Sequence, residues 1–132
     1  MARKKSTTLT EAELRLMDVL WQKGEATVGA VTEALPPRLG LAYNTVLTTM
    51  RILEEKGYVQ HRKPEQGRAF LYRPRVGRAD ATRSAVRDLL RRFFGHSHEA
   101  LVLNILQDGE LGEEKRQRIR ELLERFDQEA QR

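Results

Sequence analysis

The chain has 132 residues, of which 39% are hydrophobic, enough for one domain or for a small domain with a compact appendage. It contains no cysteine, which excludes disulfides, thiolate metal sites and cysteine catalysis and fits a reducing cytoplasm. No apolar run approaches the roughly 18 residues that a membrane span needs, and no apolar region of a signal peptide follows the basic start. We therefore expect a cytoplasmic protein without membrane insertion.

The positive charge is concentrated in the first part of the chain. The net charge is +5; residues 1–77 hold 13 Lys and Arg against 8 Asp and Glu, whereas residues 78–132 hold 11 of each. A basic part joined to a neutral part favours a polyanion-binding head and a protein-binding tail. The alternative is that the charge serves only solubility.

The start of the chain predicts a basic arm and then an amphipathic helix. Residues 1–8 are polar and basic and predict a disordered arm. Thr10 and Glu13 have the spacing of a capping box, in which each side chain accepts a hydrogen bond from the backbone of the other. The helix is expected to end near Gly24, since glycine adopts the left-handed conformation that terminates helices.

Two more helices and a hairpin are predicted next. The predicted elements are a short helix capped by Thr27 and stopped by Pro36, a helix over residues 43–56, and strands over residues 58–63 and 69–72. Three helices followed by a hairpin is the order of a winged helix-turn-helix. The predicted fold is therefore mainly α with a small β-hairpin wing, and residues 9–76 form the DNA-binding domain.

The third predicted helix has a polar side that is suited to DNA. At 100° per residue, Val46, Met50 and Leu53 share one side and should face the core. The opposite side carries small and polar residues that can contact base edges and phosphates. The candidate DNA-binding residues of this helix are Tyr43, Asn44, Thr45, Thr48 and Arg51, of which Tyr43 is equally suited to packing against the helix start. An ordinary solvated helix face would look similar, but the adjacent hairpin favours DNA binding.

The predicted hairpin carries cations around its tip. Arg62, Lys63 and Arg68 flank the turn, and Gly67 permits a tight reversal of the chain. A basic wing is suited to phosphate or minor-groove contact. The alternative is a charged turn that only keeps the hairpin soluble.

Residues 77–132 predict three helices that form a dimerisation domain. The middle helix is apolar nearly all round, so more than one neighbour must cover it, and a second copy of the chain is the simplest neighbour. The alternative is that these helices cap the winged domain in a monomer. The candidate dimerisation residues are Leu89, Phe93, Leu101, Val102, Ile105, Leu106, Ile119, Leu122, Leu123 and Phe126.

With these elements in place, the chain resembles the penicillinase repressor family of BlaI-, MecI- and CopY-type regulators from Leu9 to about Phe126. The segments that carry the resemblance are residues 9–13 with Met17, Leu20 and Trp21, residues 42–46 with Thr48 and Leu53, residues 56–59, and residues 67–72. The resemblance implies a bacterial, sequence-specific transcription repressor. It also implies a homodimer whose winged helices bind a palindromic operator in double-stranded DNA.

The resemblance also implies a mode of inactivation. In the penicillinase branch, a membrane sensor-protease system triggers cleavage of the repressor within the short apolar helix. The matching peptide places the bond between Asn104 and Ile105, and cleavage there would remove the last helix and weaken the dimer. The alternatives are that this segment is dimer core that is never cut, or that another signal releases the repressor.

Other classes of function find little support in the residues. The sequence has no Ser-His-Asp, paired-carboxylate, P-loop or metal-ligand pattern, so we expect no enzyme, no cofactor and no metal. His96 and His98 favour a polar loop over a metal site. The remaining alternative is a protein-interaction module that uses a winged domain to bind a partner protein.

Overall fold

The computed structural model describes residues 8–131 and divides the chain into two compact units. The first unit ends at Asp88 and the second begins at Leu89. The predicted basic arm lies outside the described residues except for Thr8, whose hydroxyl donates a hydrogen bond to Asp88.

The first unit contains three helices, a hairpin and the start of a fourth helix, and the second unit contains the rest of that helix and two more. The elements of both units, in chain order, are helices α1 (Glu11–Lys23), α2 (Val28–Ala34) and α3 (Tyr43–Lys56), strands β1 (Val59–Arg62) and β2 (Leu71–Pro74), and helices α4 (Arg78–Phe93), α5 (His98–Leu106) and α6 (Glu113–Ala130). A 3₁₀ turn, Pro37–Leu39, connects α2 to α3. This is the predicted winged helix-turn-helix, mainly α with a two-stranded wing.

The ends of α1 follow the predicted chemistry. The Glu13 backbone N–H donates to the Thr10 hydroxyl at 3.2 Å, and the Thr10 N–H donates to the Glu13 carboxylate at 2.7 Å. Gly24 ends the helix at a φ of 83°, a backbone conformation that other residues rarely adopt. The capping box and the helix end are therefore confirmed.

A single hydrophobic core lies between the helices and the hairpin of the first unit. Val46, Met50 and Leu53 of α3 are fully buried, as their spacing predicts. They pack in one cluster with residues of α1, α2 and β1, among them Leu16 and Val31. The buried side of α3 therefore fixes which of its residues face outward.

The hairpin is anchored to the loop before α2. Strands β1 and β2 are antiparallel, and His61 lies opposite Tyr72. Tyr72 also exchanges two backbone hydrogen bonds with Ala26, at 3.0 and 2.8 Å. Strand β2 begins and ends two residues later than the predicted residues 69–72, because its ends pair with Arg62 and Val59 of β1.

The first half of α4 packs on the first unit. Ala81 belongs to its core, and the buried Tyr58 is hydrogen-bonded to Ser84. The Trp21 indole N–H donates to the Val76 carbonyl at 2.9 Å. The first half of α4 therefore belongs to the first unit.

The second unit has almost no buried side chains within the described residues. Among the described residues of this unit, Leu90 is the one buried residue, with 5% of its surface exposed. Nine of the thirteen large hydrophobic side chains that are exposed lie at or after Leu89. None of the helices within residues 8–131 is both long and apolar enough to cross a membrane.

Candidate nucleic-acid interface

The outward side of α3 is polar and accessible. Asn44, Thr45, Thr48 and Arg51 are all exposed, while the buried residues of the same helix hold it against the core. Their side chains offer amide, hydroxyl and guanidinium groups along about two helical turns. Such groups can bond to base edges in a major groove or to phosphates.

The hydrogen-bonding capacity of this side is available for a ligand. The Thr49 hydroxyl donates to the Thr45 carbonyl at 2.8 Å, so it is used within the helix. The side chains of Asn44 and Thr48, in contrast, make no hydrogen bond to any other described residue. They are therefore the residues of α3 best placed to form direct contacts with bases.

The first turn of α3 is also open. The residue before it is Ala42, which provides no side-chain cap, so N–H groups of the first turn lack a partner from that side chain. Such N–H groups and the helix dipole favour an anion such as a DNA phosphate. Tyr43 is 52% exposed at this end and is therefore accessible to a ligand.

The other end of α3 is held by a buried ion pair. The Lys56 ammonium lies 2.7 Å from the Glu13 carboxylate and 3.1 Å from the Thr8 carbonyl. Burial raises the pKa of Glu13, but the hydrogen bonds from Lys56 and Thr10 outweigh it and hold the pKa below its ordinary value. The pair fixes α3 relative to α1 and so orients the polar side of α3.

A second pair joins the hairpin to α3. The Nδ1 atom of His61 lies 2.6 Å from an oxygen of Glu54. The His61 ring also packs against Phe70 and Tyr72, with ring centres 4.7 and 5.4 Å apart. Sequence reasoning missed this contact, which positions the wing beside the polar side of α3.

The predicted wing cations have different environments. Lys63 and Arg68 are exposed and form no ion pair within the described part of the chain. Arg62 instead donates two hydrogen bonds to Glu25, from Nε at 3.0 Å and from Nη2 at 2.8 Å. In this conformation the Nε and Nη2 atoms of Arg62 are bonded to a carboxylate, whereas Lys63 and Arg68 have no such partner among the described residues.

The residues expected at the dimer interface lie on α4, α5 and α6. Two of them, Leu101 and Ile119, are partly buried. The other eight are exposed: Leu89, Phe93, Val102, Ile105, Leu106, Leu122, Leu123 and Phe126. On α5, Val102, Leu103 and Leu106 line an open apolar groove of about 480 Å³ together with His98 and Glu99. Asn104 and Ile105 are exposed within the helical backbone of α5.

Within residues 8–131, no group of three or more His, Cys, Asp or Glu residues is arranged to hold a metal ion. The arrangement that the first unit does provide is a polar helix face beside a wing with exposed cations. The fold and this face define a winged helix-turn-helix protein of the DNA-binding class.

Comparison with known sequences gives the family. A family model described as "Penicillinase repressor" matches residues 9–125, so the chain belongs to the penicillinase repressor family. The chain is 28% identical over 121 residues to a penicillinase repressor of Bacillus licheniformis, covering 92% of this chain and 93% of that protein. It is 38% identical over 87 residues to the transcriptional regulator BlaI of Mycobacterium tuberculosis, covering 65% of this chain and 62% of that protein.

Among solved structures, the chain is similar to the DNA-binding domain of the repressor BlaI. The identity is 28%, the TM-score is 0.49, and the match covers 59% of this chain and 93% of that domain. The match of the family model to residues 9–125 confirms the predicted family.

Proposed function

We propose that the protein is a sequence-specific DNA-binding transcription repressor of the bacterial cytoplasm, with no enzymatic activity. The observation that carries the proposal is the exposed polar side of α3, held beside the wing by the Glu54–His61 pair. Membership of the penicillinase repressor family supports it. The partner is double-stranded operator DNA.

In the proposed complex, α3 enters the major groove and the wing contacts the backbone. Asn44 and Thr48 form hydrogen bonds to base edges, and Thr45 and Arg51 contact flanking bases or phosphates. Tyr43 and the open first turn of α3 meet a phosphate at the groove edge. Lys63 and Arg68 provide the sequence-independent attraction to the backbone.

The active form is proposed to be a homodimer. The second unit cannot bury a core of its own, since Leu90 is its one buried residue within the described part of the chain. Segments of about 40 residues rarely fold without an added source of stability, and a second copy of these helices supplies apolar contact. A two-fold dimer then presents two α3 helices to the half-sites of a palindrome, about one turn of DNA apart or a multiple of that.

Selection of binding sites from random duplexes tests the repressor proposal. The purified protein should enrich a palindromic sequence, and its affinity for that duplex should fall steeply as salt concentration rises. The alternative, a winged domain that binds a partner protein, predicts no enrichment and no salt-dependent DNA binding. Either of those results would reject the repressor assignment.

Light scattering coupled to sizing tests the dimer. The wild-type protein should show about twice the chain mass of 15.3 kDa. Replacing exposed Leu123 of α6 by Asp should give monomers with weaker operator binding, because a charge would have to be buried at the interface. Gln128→Asp adds the same charge to α6 about 140° away from Leu123 and should leave the dimer intact.

For the release of the repressor, we propose cleavage between Asn104 and Ile105, triggered by a membrane sensor-protease system. Both residues are exposed on α5, and the loss of α6 would remove part of the proposed dimer surface. Because the bond lies within a helix, the protease must first unwind it locally. Intact-mass measurement of repressor from induced cells should detect a fragment ending at Asn104; an uncut but released repressor would favour a different signal.

A further inference from the structure

The Glu25–Arg62 pair differs from an ordinary surface ion pair in its geometry. Two separate nitrogen atoms of Arg62 reach the two oxygen atoms of Glu25, at 3.0 and 2.8 Å. This bidentate arrangement is the strongest form of an arginine–carboxylate contact, and it uses one edge of the planar guanidinium. While Glu25 holds this edge, its Nε and Nη2 donors are not available to a phosphate, and the carboxylate offsets the charge of the guanidinium.

The backbone on both sides holds Glu25 in place. Gly24 immediately before it ends α1 with a φ of 83°. Ala26 immediately after it exchanges two hydrogen bonds with Tyr72 of β2. The backbone at Glu25 is therefore held beside the hairpin, and from there its carboxylate reaches Arg62.

The hairpin face that Glu25 meets is distinct from the face that meets α3. Side chains alternate along a strand, so Arg62 and Gln60 lie on one face of β1 and His61 lies on the other. His61 contacts Glu54 of α3, whereas Arg62 contacts Glu25. Hydrogen bonding by Arg62 also lowers the pKa of Glu25, so its carboxylate is ionised at neutral pH.

We propose that Glu25 withholds Arg62 from the DNA backbone and so lowers the non-specific affinity of the wing. This inference rests on the proposed function as a DNA-binding protein. Of the three cations around the tip, Arg62 is held by a carboxylate, while Lys63 and Arg68 are free to contact phosphates. Removing Glu25 would free Arg62 as a third wing cation to contact the DNA phosphates.

The test measures binding to a mixed-sequence duplex of about 30 base pairs by fluorescence anisotropy at several salt concentrations. Each phosphate contact adds about 0.9 to the slope of log affinity against log salt. Glu25→Ala should bind more tightly than wild type and steepen the slope by about one. Its advantage over wild type should shrink about fourfold between about 50 and 200 mM salt.

Three further variants isolate the cause. Arg62→Gln alone should leave the wild-type slope unchanged, since Arg62 makes no phosphate contact while Glu25 is present. The double variant Glu25→Ala with Arg62→Gln should lose the steeper slope. Glu65→Ala removes a carboxylate from the wing turn without releasing Arg62, so it should not add a full phosphate contact. Thermal unfolding of each variant verifies that it is folded.

The results separate this inference from the proposed function. If Glu25→Ala is folded and its slope equals that of wild type, or if Arg62→Gln already loses slope, the withholding role is refuted. A steeper slope that persists in the double variant also refutes it, because the gain would then come from charge alone. If wild type binds no duplex even at low salt, the proposed function itself fails.

Discussion

Replacing Lys56 by Met would leave the carboxylate of Glu13 buried without its cation. The side chains of Lys56 and Glu13 are only 12% and 4% exposed, and their charged atoms are 2.7 Å apart. Removing one partner of a buried pair costs about 3–5 kcal/mol in stability. Glu13 keeps its hydrogen bond from the Thr10 N–H, so we expect a loss near the lower end, about 3 kcal/mol.

The loss should depend on pH in a defined direction. In the wild type the pKa of Glu13 lies below its ordinary value of 4.5, so the ionised carboxylate contributes stability above that pH. This contribution disappears as the pH falls through the lowered pKa. Lys56→Met removes the hydrogen bond and the charge that lower the pKa of Glu13, so this pKa should be higher in the variant than in the wild type, and protonation relieves the penalty. The stability difference between the two proteins should therefore narrow as the pH falls through the pKa of Glu13 in the variant towards that in the wild type.

Urea unfolding of both proteins at neutral and acidic pH measures this difference. Arg15→Met is the control, because the Arg15–Asp18 pair on the same helix α1 is exposed and its loss should cost at most about 1 kcal/mol. If Lys56→Met costs no more than Arg15→Met, the Glu13–Lys56 pair does not hold α3 in place. A large loss that stays constant with pH would instead refute the electrostatic cause.

The remaining predictions concern the polar side of α3, the wing and the end of α3. Asn44→Ala and Thr48→Ala should each weaken binding to the selected operator by about 1–3 kcal/mol, whereas Thr49→Ala, whose hydroxyl bonds within α3, should have little effect in the same anisotropy assay. Arg68→Ala should reduce the slope of log affinity against log salt by about one for specific and mixed-sequence duplexes alike. Gly57→Ala should lower the unfolding free energy by about 1 kcal/mol because Gly57 has a φ of 88°; Gly77→Ala, which meets no close atoms and has no positive φ, should not.

Local signals in the sequence predict most of the first unit. The bounds of α3 follow from its buried residues and from Gly57, and those of α1 follow from a capping box and Gly24. These signals lie within a few residues of the feature that they determine. The same is true of the exposed side of α3, since a helix that buries Val46 and Met50 must turn Asn44 and Thr48 outward.

Two of the ion pairs that the sequence did not predict join residues that are far apart in the chain. Arg62 and Glu25 are 37 positions apart, and Lys56 and Glu13 are 43 positions apart. In neither pair does the spacing or the residue type of one partner predict which residue the other partner is. The bounds of β2 depend on pairing across the hairpin, where Leu71 lies opposite Arg62 and Pro74 lies opposite Val59.

The proposed dimer and the proposed role of Glu25 act on specificity in the same direction. A dimer binds a palindrome through two heads, so a base-specific gain made by one head counts twice on the correct site. A backbone contact by Arg62 would also count twice, but on every sequence alike. Holding Arg62 on Glu25 therefore lowers binding to competing genomic sites without weakening the base contacts of Asn44 and Thr48. The ratio of specific to non-specific affinity determines how well a repressor finds its operator, and on this reasoning Glu25 raises that ratio.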